Sequence, residues 1–251
     1  MTIAWVAAGI VLGALAGSFG ATLALRWARD NSVVHGRSHC DTCGIRVPAH
    51  RLVPILSFVA AGGRCGSCGG AIDRRHLAME CACALIGGVA LAIRPDAAGL
   101  AGALFGWMLA VLALLDLDHF WLPDALVLPL ALIGVAGGVA GLDPSLADRL
   151  IGAASGLLAL GLIAWSYRRL RKRVGLGQGD AKLVGAIGAW LGWRALPWVV
   201  LIAALIGLGW CAYAIVRGRR FGPTDRLPLG TLLAMAAWPF WLFDAAASGG
   251  G

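Results

Sequence analysis

Long apolar stretches divided by short polar ones set the pattern of this chain. Residues 3–25, 77–93, 97–115, 125–142, 150–167, 195–216 and 227–243 carry almost no charge. Each approaches or reaches the roughly 17–25 residues that an α-helix needs to cross a hydrocarbon layer. An eighth stretch, 183–193, is short unless it begins earlier, through the glycine-rich segment ahead of it. The pattern predicts an all-α polytopic membrane protein, and the remaining question is how many segments cross.

The basic residues answer it. Arg26, Arg29, Arg37, Arg46, Arg51, Arg64, Arg74 and Arg75 share one loop. Arg168, Arg169, Arg171, Lys172, Arg173 and Lys182 share a second, and Arg217, Arg219, Arg220 and Arg226 a third. Loops rich in Lys and Arg stay cytoplasmic. All three fall on one side only if 183–193 also crosses, which leaves Arg94, Arg149 and Arg194 outside. The expectation is therefore about eight transmembrane helices with both termini on the outer side. The first run has its basic residues after it rather than before it, as a retained helix does and a signal peptide does not.

Composition agrees with this reading. Hydrophobic residues make up 59% of the 251 and charged residues 14%, and the mean hydropathy is +0.80, which excludes an ordinary soluble domain. The formal charge of +8 follows from the cytoplasmic loops. Their attraction to the anionic lipid of the bilayer accounts for it without nucleic acid. Abundant glycine within the helices fits close helix packing, and residues 248–251 should fray.

The loop 26–76 is the one polar segment large enough for a small subdomain. It contains Cys40-Asp41-Thr42-Cys43 and Cys65-Gly66-Ser67-Cys68. Paired C-x-x-C knuckles are the pattern of a zinc ribbon, and a reducing cytoplasmic location favours thiolate ligation over disulfides. Four thiolates close the coordination shell, so the expected zinc is structural. Cys81, Cys83 and Cys211 lie in apolar runs and read as small buried hydrophobes. Glu80 lies a few residues into the second span, where an acid needs a partner. Arg74, Arg75 or His76 would supply an ion pair.

Two further acids carry the chemistry. Asp116 closes the third span, ahead of Leu117-Asp118-His119-Phe120-Trp121-Leu122-Pro123-Asp124, and Asp180 sits in Gly177-Gln178-Gly179-Asp180-Ala181-Lys182. Ionisable groups in membrane segments are costly and mark function. Two carboxylates level in the bilayer can share a proton and activate a water. Asp124 follows a proline ahead of a helix and reads as its N-cap. Gly177 and Gly179 allow close approach to Asp180. Lys182 either snorkels to the headgroups or tunes Asp180. A cation-coupled transporter using the same acids is the rival reading, but it calls for acids near the midplane. A scaffold that docks cytoplasmic partners through the cysteine loop leaves the paired acids without a role.

These motifs resemble, in order and spacing, those of the type IV prepilin peptidases. The resemblance rests on Gly17-Ser18-Phe19, the two cysteine knuckles, Arg74 to Glu80, Asp116-x-Asp118 through Leu122-Pro123-Asp124, Gly177-x-Gly179-Asp180-x-Lys182 and Pro228-Leu229-Gly230. It implies an inner-membrane aspartic endopeptidase that removes the basic leader of prepilins or pseudopilins after a glycine at the cytoplasmic face. Asp116 and Asp180 are then the catalytic pair, and Cys40, Cys43, Cys65 and Cys68 the zinc ligands. Residues 1–25 would be the first helix, 26–76 the zinc loop, 77–247 a seven-helix peptidase domain and 248–251 a tail. Many members with this loop also methylate the new N-terminus with S-adenosylmethionine. Here Gly20-Ala21-Thr22 stands where the family more often has Leu-Asn-Val, a departure that bears on methyl transfer more than on proteolysis.

Overall fold

The computed structural model describes residues 2–27, 38–40, 42–172, 177–219, 222 and 226–248. Its helices are α1 (Thr2–Trp27), α2 (Leu56–Ala60), α3 (Arg74–Ile93), α4 (Ala97–His119), α5 (Asp124–Val139), α6 (Leu146–Arg171), α7 (Gln178–Leu191), α8 (Leu196–Val216) and α9 (Leu229–Ser248). All but the five-residue α2 coincide with the eight apolar stretches. Six, namely α1, α3, α4, α6, α8 and α9, are long and apolar enough to cross a membrane, and the chain is a multi-pass membrane protein. The 16-residue α5 and 14-residue α7 are shorter. At 1.5 Å per residue α7 spans about 21 Å, less than a hydrocarbon core of about 30 Å. It begins at Gln178, within the glycine-rich segment.

The chain divides into two compact units, Met1–Val111 and Leu112–Gly251. In the first, α1 packs along α3 through small residues. A Cβ on Gly13 would run into the Cys83 carbonyl, and one on Gly17 would lie 2.8 Å from the Glu80 Cα. Glycine is thus required for this backbone-to-backbone approach. Trp107 Nε1 donates to the Cys83 carbonyl at 2.9 Å and ties α4 to α3. The Asp73 carboxylate caps α3, accepting the Arg75 N–H at 2.9 Å and its guanidinium at 2.8 Å. That ion pair holds the Asp73 carboxyl below its usual range.

Glu80 is buried, and the structure gives it a different partner from the basic residues expected. Its carboxylate accepts the Ile55 N–H at 2.7 Å. Ile55 has φ 63° and ψ −55°, and the bond to Glu80 helps hold it there. Its neighbour Leu56 donates back to the Pro54 carbonyl at 2.6 Å, which makes a strained three-residue turn.

In the second unit α7 is the central element. Ala181 and every residue from Leu183 to Leu191 are buried, so a helix apolar all round packs against α5, α6, α8 and α9. Against α6, a Cβ on Gly188 would collide with the Gly152 carbonyl. Trp190 Nε1 donates to the Leu130 carbonyl of α5 at 2.7 Å.

Arg149, expected among the outer-side charges, is buried instead. Its guanidinium donates to the carbonyls of Gly134, Asp143, Pro144, Ala189 and Leu142 at 2.7, 2.7, 2.8, 3.1 and 3.3 Å. A buried cation is tolerable only when its donors are satisfied. Here they are satisfied by three carbonyls of the segment between α5 and α6, by Gly134 of α5 and by Ala189 in the last turn of α7, where the helix dipole is negative.

Candidate active site

The second unit brings Asp116 and Asp180 close enough to act on each other electrostatically. Asp116 lies in the last turn of α4, which stops when Phe120 adopts φ 51°. Its residue is only 4% exposed. A buried carboxylate needs donors, and the start of α9 provides them. The Thr231 N–H donates to Asp116 Oδ2 at 2.8 Å, and Thr231 Oγ1 lies 3.3 Å from the same oxygen. Thr231 Oγ1 also donates to the Ala113 carbonyl at 2.9 Å, which fastens the first turn of α9 to α4.

Asp180 is half-buried in the first turn of α7, and its Oδ2 accepts the Gly177 N–H at 3.1 Å. Both acids are therefore at helix ends, not midway along a span. Leu122 sets their approach. A Cβ on Gly179 would lie 2.9 Å from the Leu122 Cβ, and one on Gly230 would lie 2.9 Å from the Leu122 Cδ1 and 3.0 Å from Asp116 Oδ2. The two glycines thus make room for one leucine side chain between the starts of α7 and α9.

Two expectations change here. Asp124 is not the N-cap of α5. Pro123 holds that position, and Asp124 begins the helix. From the first helical position its carboxylate is past the place from which a cap folds back, and it pairs with Lys182 Nζ at 2.7 Å. Lys182 accordingly neutralises Asp124 on α5 through a direct ion pair. Asp118 is half-buried in the last turn of α4, one residue from its C-terminal end.

The cysteines gather in the first unit. The Sγ atoms of Cys40, Cys43, Cys65 and Cys68 all lie within 4.8 Å of one another, with Cys40 and Cys68 3.9 Å apart. Tetrahedral ligation at about 2.3 Å per thiolate sets ligand separations of about 3.8 Å, so the four fit one metal ion. The two knuckles share one hydrogen-bond pattern. Cys40 N–H donates to Ile45 O and Gly44 N–H to Cys40 O, while Cys65 N–H donates to Gly70 O and Gly69 N–H to Cys65 O. Gly44 and Gly69 have φ 70° and 71°, a left-handed turn that suits glycine. Backbone N–H groups of Ser67 and Cys68 pull the Cys65 thiol down to about 6 and those of Cys43 and Thr42 lower Cys40, while at Cys68 the Gly70 N–H is outweighed by the neighbouring thiols, which push it up to about 11. Donors aimed at sulfur favour the thiolate that a metal needs.

Thr231 and the turn glycines Gly44 and Gly69 were not singled out by sequence reasoning, and Leu122 entered only as part of the Leu122-Pro123-Asp124 motif. A signal existed for the two glycines, since glycine follows the second cysteine of each knuckle. Thr231 directly follows Pro228-Leu229-Gly230, but nothing local reveals that its amide meets an acid 115 residues earlier.

Residues 11–94 match the bacterial peptidase A24 N-terminal domain, and residues 103–212 match the type IV leader peptidase family. A prepilin leader peptidase/N-methyltransferase of Aeromonas hydrophila is 37% identical over 203 residues, covering 80% of this chain and 70% of the relative. Its counterpart in Pseudomonas aeruginosa is 37% identical over 211 residues, covering 82% and 71%. That of Burkholderia pseudomallei is 43% identical over 202 residues, covering 79% and 64%. No solved structure matches. Both halves of the chain, with the acids in one and the cysteines in the other, thus agree with the same relatives, and the chain belongs to the type IV leader peptidase family.

Proposed function

We propose that the chain is an aspartic endopeptidase of the bacterial inner membrane that removes the leader of type IV prepilins or pseudopilins after a glycine at the cytoplasmic face. It then methylates the new N-terminus. The observation that carries the peptidase reading is that Asp116, in the last turn of α4, and Asp180, in the first turn of α7, are gathered around the one side chain of Leu122. Hydrolysis by such a pair needs no covalent intermediate. One ionised carboxylate takes a proton from water as the water oxygen attacks the scissile carbonyl. The other, protonated, hydrogen-bonds the carbonyl oxygen, and the leaving amine is protonated as the C–N bond breaks. The position of both acids at helix ends argues against a transporter, which would hold them near the midplane.

Gly177, Gly179 and Lys182 support this site. The glycines let the chain close around Asp180, and Lys182 removes the charge of Asp124 from its neighbourhood. The metal at Cys40, Cys43, Cys65 and Cys68 is zinc in this reading, with a structural role, because four thiolates leave no open position. S-adenosylmethionine would supply the methyl group to the amine that cleavage frees. A cavity of about 210 Å³ in the first unit is lined by Thr22, Arg51, Asp73, His76 and Glu80 among others. It is smaller than the roughly 300–1,000 Å³ of small-molecule sites, so no residue is assigned to the methyl donor.

The test is to incubate the purified protein with a prepilin, with and without S-adenosylmethionine, and weigh the product. Leader loss and an added methyl mass are expected in turn. Asp116→Asn and Asp180→Asn should each reduce cleavage by at least a thousandfold while the protein still inserts. Normal cleavage by either variant sinks the assignment of the pair.

A further inference from the structure

The two acids are held differently, and the difference assigns their roles. Asp116 is the more deeply buried, and the donors that reach it come from the first turn of α9. Those N–H groups have no partner within their own helix and sit at the positive end of its dipole. Asp116 Oδ2 accepts Thr231 N–H at 2.8 Å, with Thr231 Oγ1 at 3.3 Å. An ionised carboxylate only accepts hydrogen bonds, so a nest of donors stabilises the charged form. Asp180 accepts one backbone bond, from Gly177 at 3.1 Å, also at a helix start. At Asp116 the Thr231 N–H at 2.8 Å and Oγ1 at 3.3 Å stand against the single 3.1 Å N–H at Asp180, and this stronger donor set keeps the charge on Asp116 when adjacent carboxylates cannot both ionise.

Resting on the reading of Asp116 and Asp180 as a hydrolytic pair, we propose that Thr231 is a positioning residue that keeps the negative charge on Asp116. Asp116 is then the base that takes the water proton, and Asp180 is the acid. The proton inventory closes. Water gives a proton to Asp116 while its oxygen bonds to the carbonyl carbon, and the carbonyl oxygen takes the proton of Asp180. As the C–N bond breaks, Asp116 protonates the departing nitrogen. The second hydroxyl proton of the tetrahedral intermediate returns to Asp180, which restores the starting state. The Thr231 hydroxyl acts through its 2.9 Å bond to the Ala113 carbonyl. That bond sets where the Thr231 N–H points.

Other charges do not supply the asymmetry. Lys182, on the same helix as Asp180, is paired with Asp124 of α5. Arg168, Arg169 and Arg171 at the end of α6 and Arg217 at the end of α8 are exposed. Asp118 and His119 follow Asp116 at the end of α4 and are half-buried and exposed.

The test is the pH profile of kcat/KM for leader removal by the full-length protein, as wild type, Thr231→Ser, Thr231→Val and Thr231→Ala. The limbs belong to the coupled pair, so the diagnostic is which limb moves. Weakening a donor to the base destabilises its charged form. In Thr231→Val and Thr231→Ala the acidic limb should therefore shift to higher pH by about half a unit to one unit. The alkaline limb should stay, and kcat should fall about threefold to tenfold with KM little changed. Thr231→Ser, which keeps the hydroxyl, should restore the wild-type profile. Movement of the alkaline limb alone would reverse the assignment. An equal loss at every pH, or no effect, would leave Thr231 without a positioning role and overturn the proposal. If valine at 231 prevents folding, alanine carries the same comparison, since the residue is in a helical first turn that tolerates it. These failures differ from failure of the underlying reading, which shows as cleavage by Asp116→Asn or Asp180→Asn.

Discussion

Glu80 shows how a single acid can be read correctly as needing a partner and still be assigned the wrong one. Its sequence neighbours are basic, but the helix start uses Arg75 to pair with Asp73, and Glu80 reaches the amide of Ile55 instead. That amide belongs to a β-branched residue at φ 63°, a conformation that persists only when its surroundings hold it. Glu80→Ala should leave the Ile55 N–H unpaired and lower the stability of the purified protein by about 1–3 kcal/mol. Glu80→Gln, which keeps an acceptor oxygen, should cost less than half of that. Thermal unfolding of both variants in detergent checks the order, and equal losses would refute the bond's role. The same limit governs Asp124 and Arg149. A residue's type shows that a charge must be satisfied, but the satisfying group is chosen by elements far away in the chain.

Helices were the most legible level, because length and hydropathy are local properties. The starts of α4 and α8 fall at residue 97 and within one residue of 195, where the apolar runs begin. Helix pairing was legible only as a tendency. Small residues predict close contact, but not that Gly13 and Gly17 meet α3 while Gly188 meets Gly152. The cysteine knuckles behave similarly. Spacing alone announces a metal site, whereas the paired left-handed turns at Gly44 and Gly69 and the amides aimed at sulfur emerge only on folding. If the metal is structural zinc, purified protein should contain it in stoichiometric amount, and Cys40→Ser combined with Cys43→Ser should remove it. Protease cleavage within the loop between α1 and α3 should then become markedly faster, because a segment this small has little core of its own. Absence of zinc from the wild type, or its full retention in the double variant, would refute that role.

For the whole molecule the decisive question is the parity of crossings. If the shorter α5 and α7 both cross with the six long apolar helices, both termini share the outer side and all three basic clusters face the cytoplasm. A reporter enzyme active only outside the cytoplasm, fused after residue 251, should therefore be active. An inactive fusion, with a cytoplasmic reporter active at the same place, would put the C-terminus in the cytoplasm and refute the shared outer side. The apolar runs, the charge asymmetry, the cysteine spacing and the two acids could be read from the sequence because each depends on residue type at short range. Tertiary structure decided the rest. It placed Leu122 between Gly179 and Gly230, turned Lys182 toward Asp124 and aimed the first turn of α9 at Asp116. These are meetings of residues distant in the chain. Their outcome depends on which backbones can approach closely and on where each buried charge finds its donors, so no local pattern encodes them.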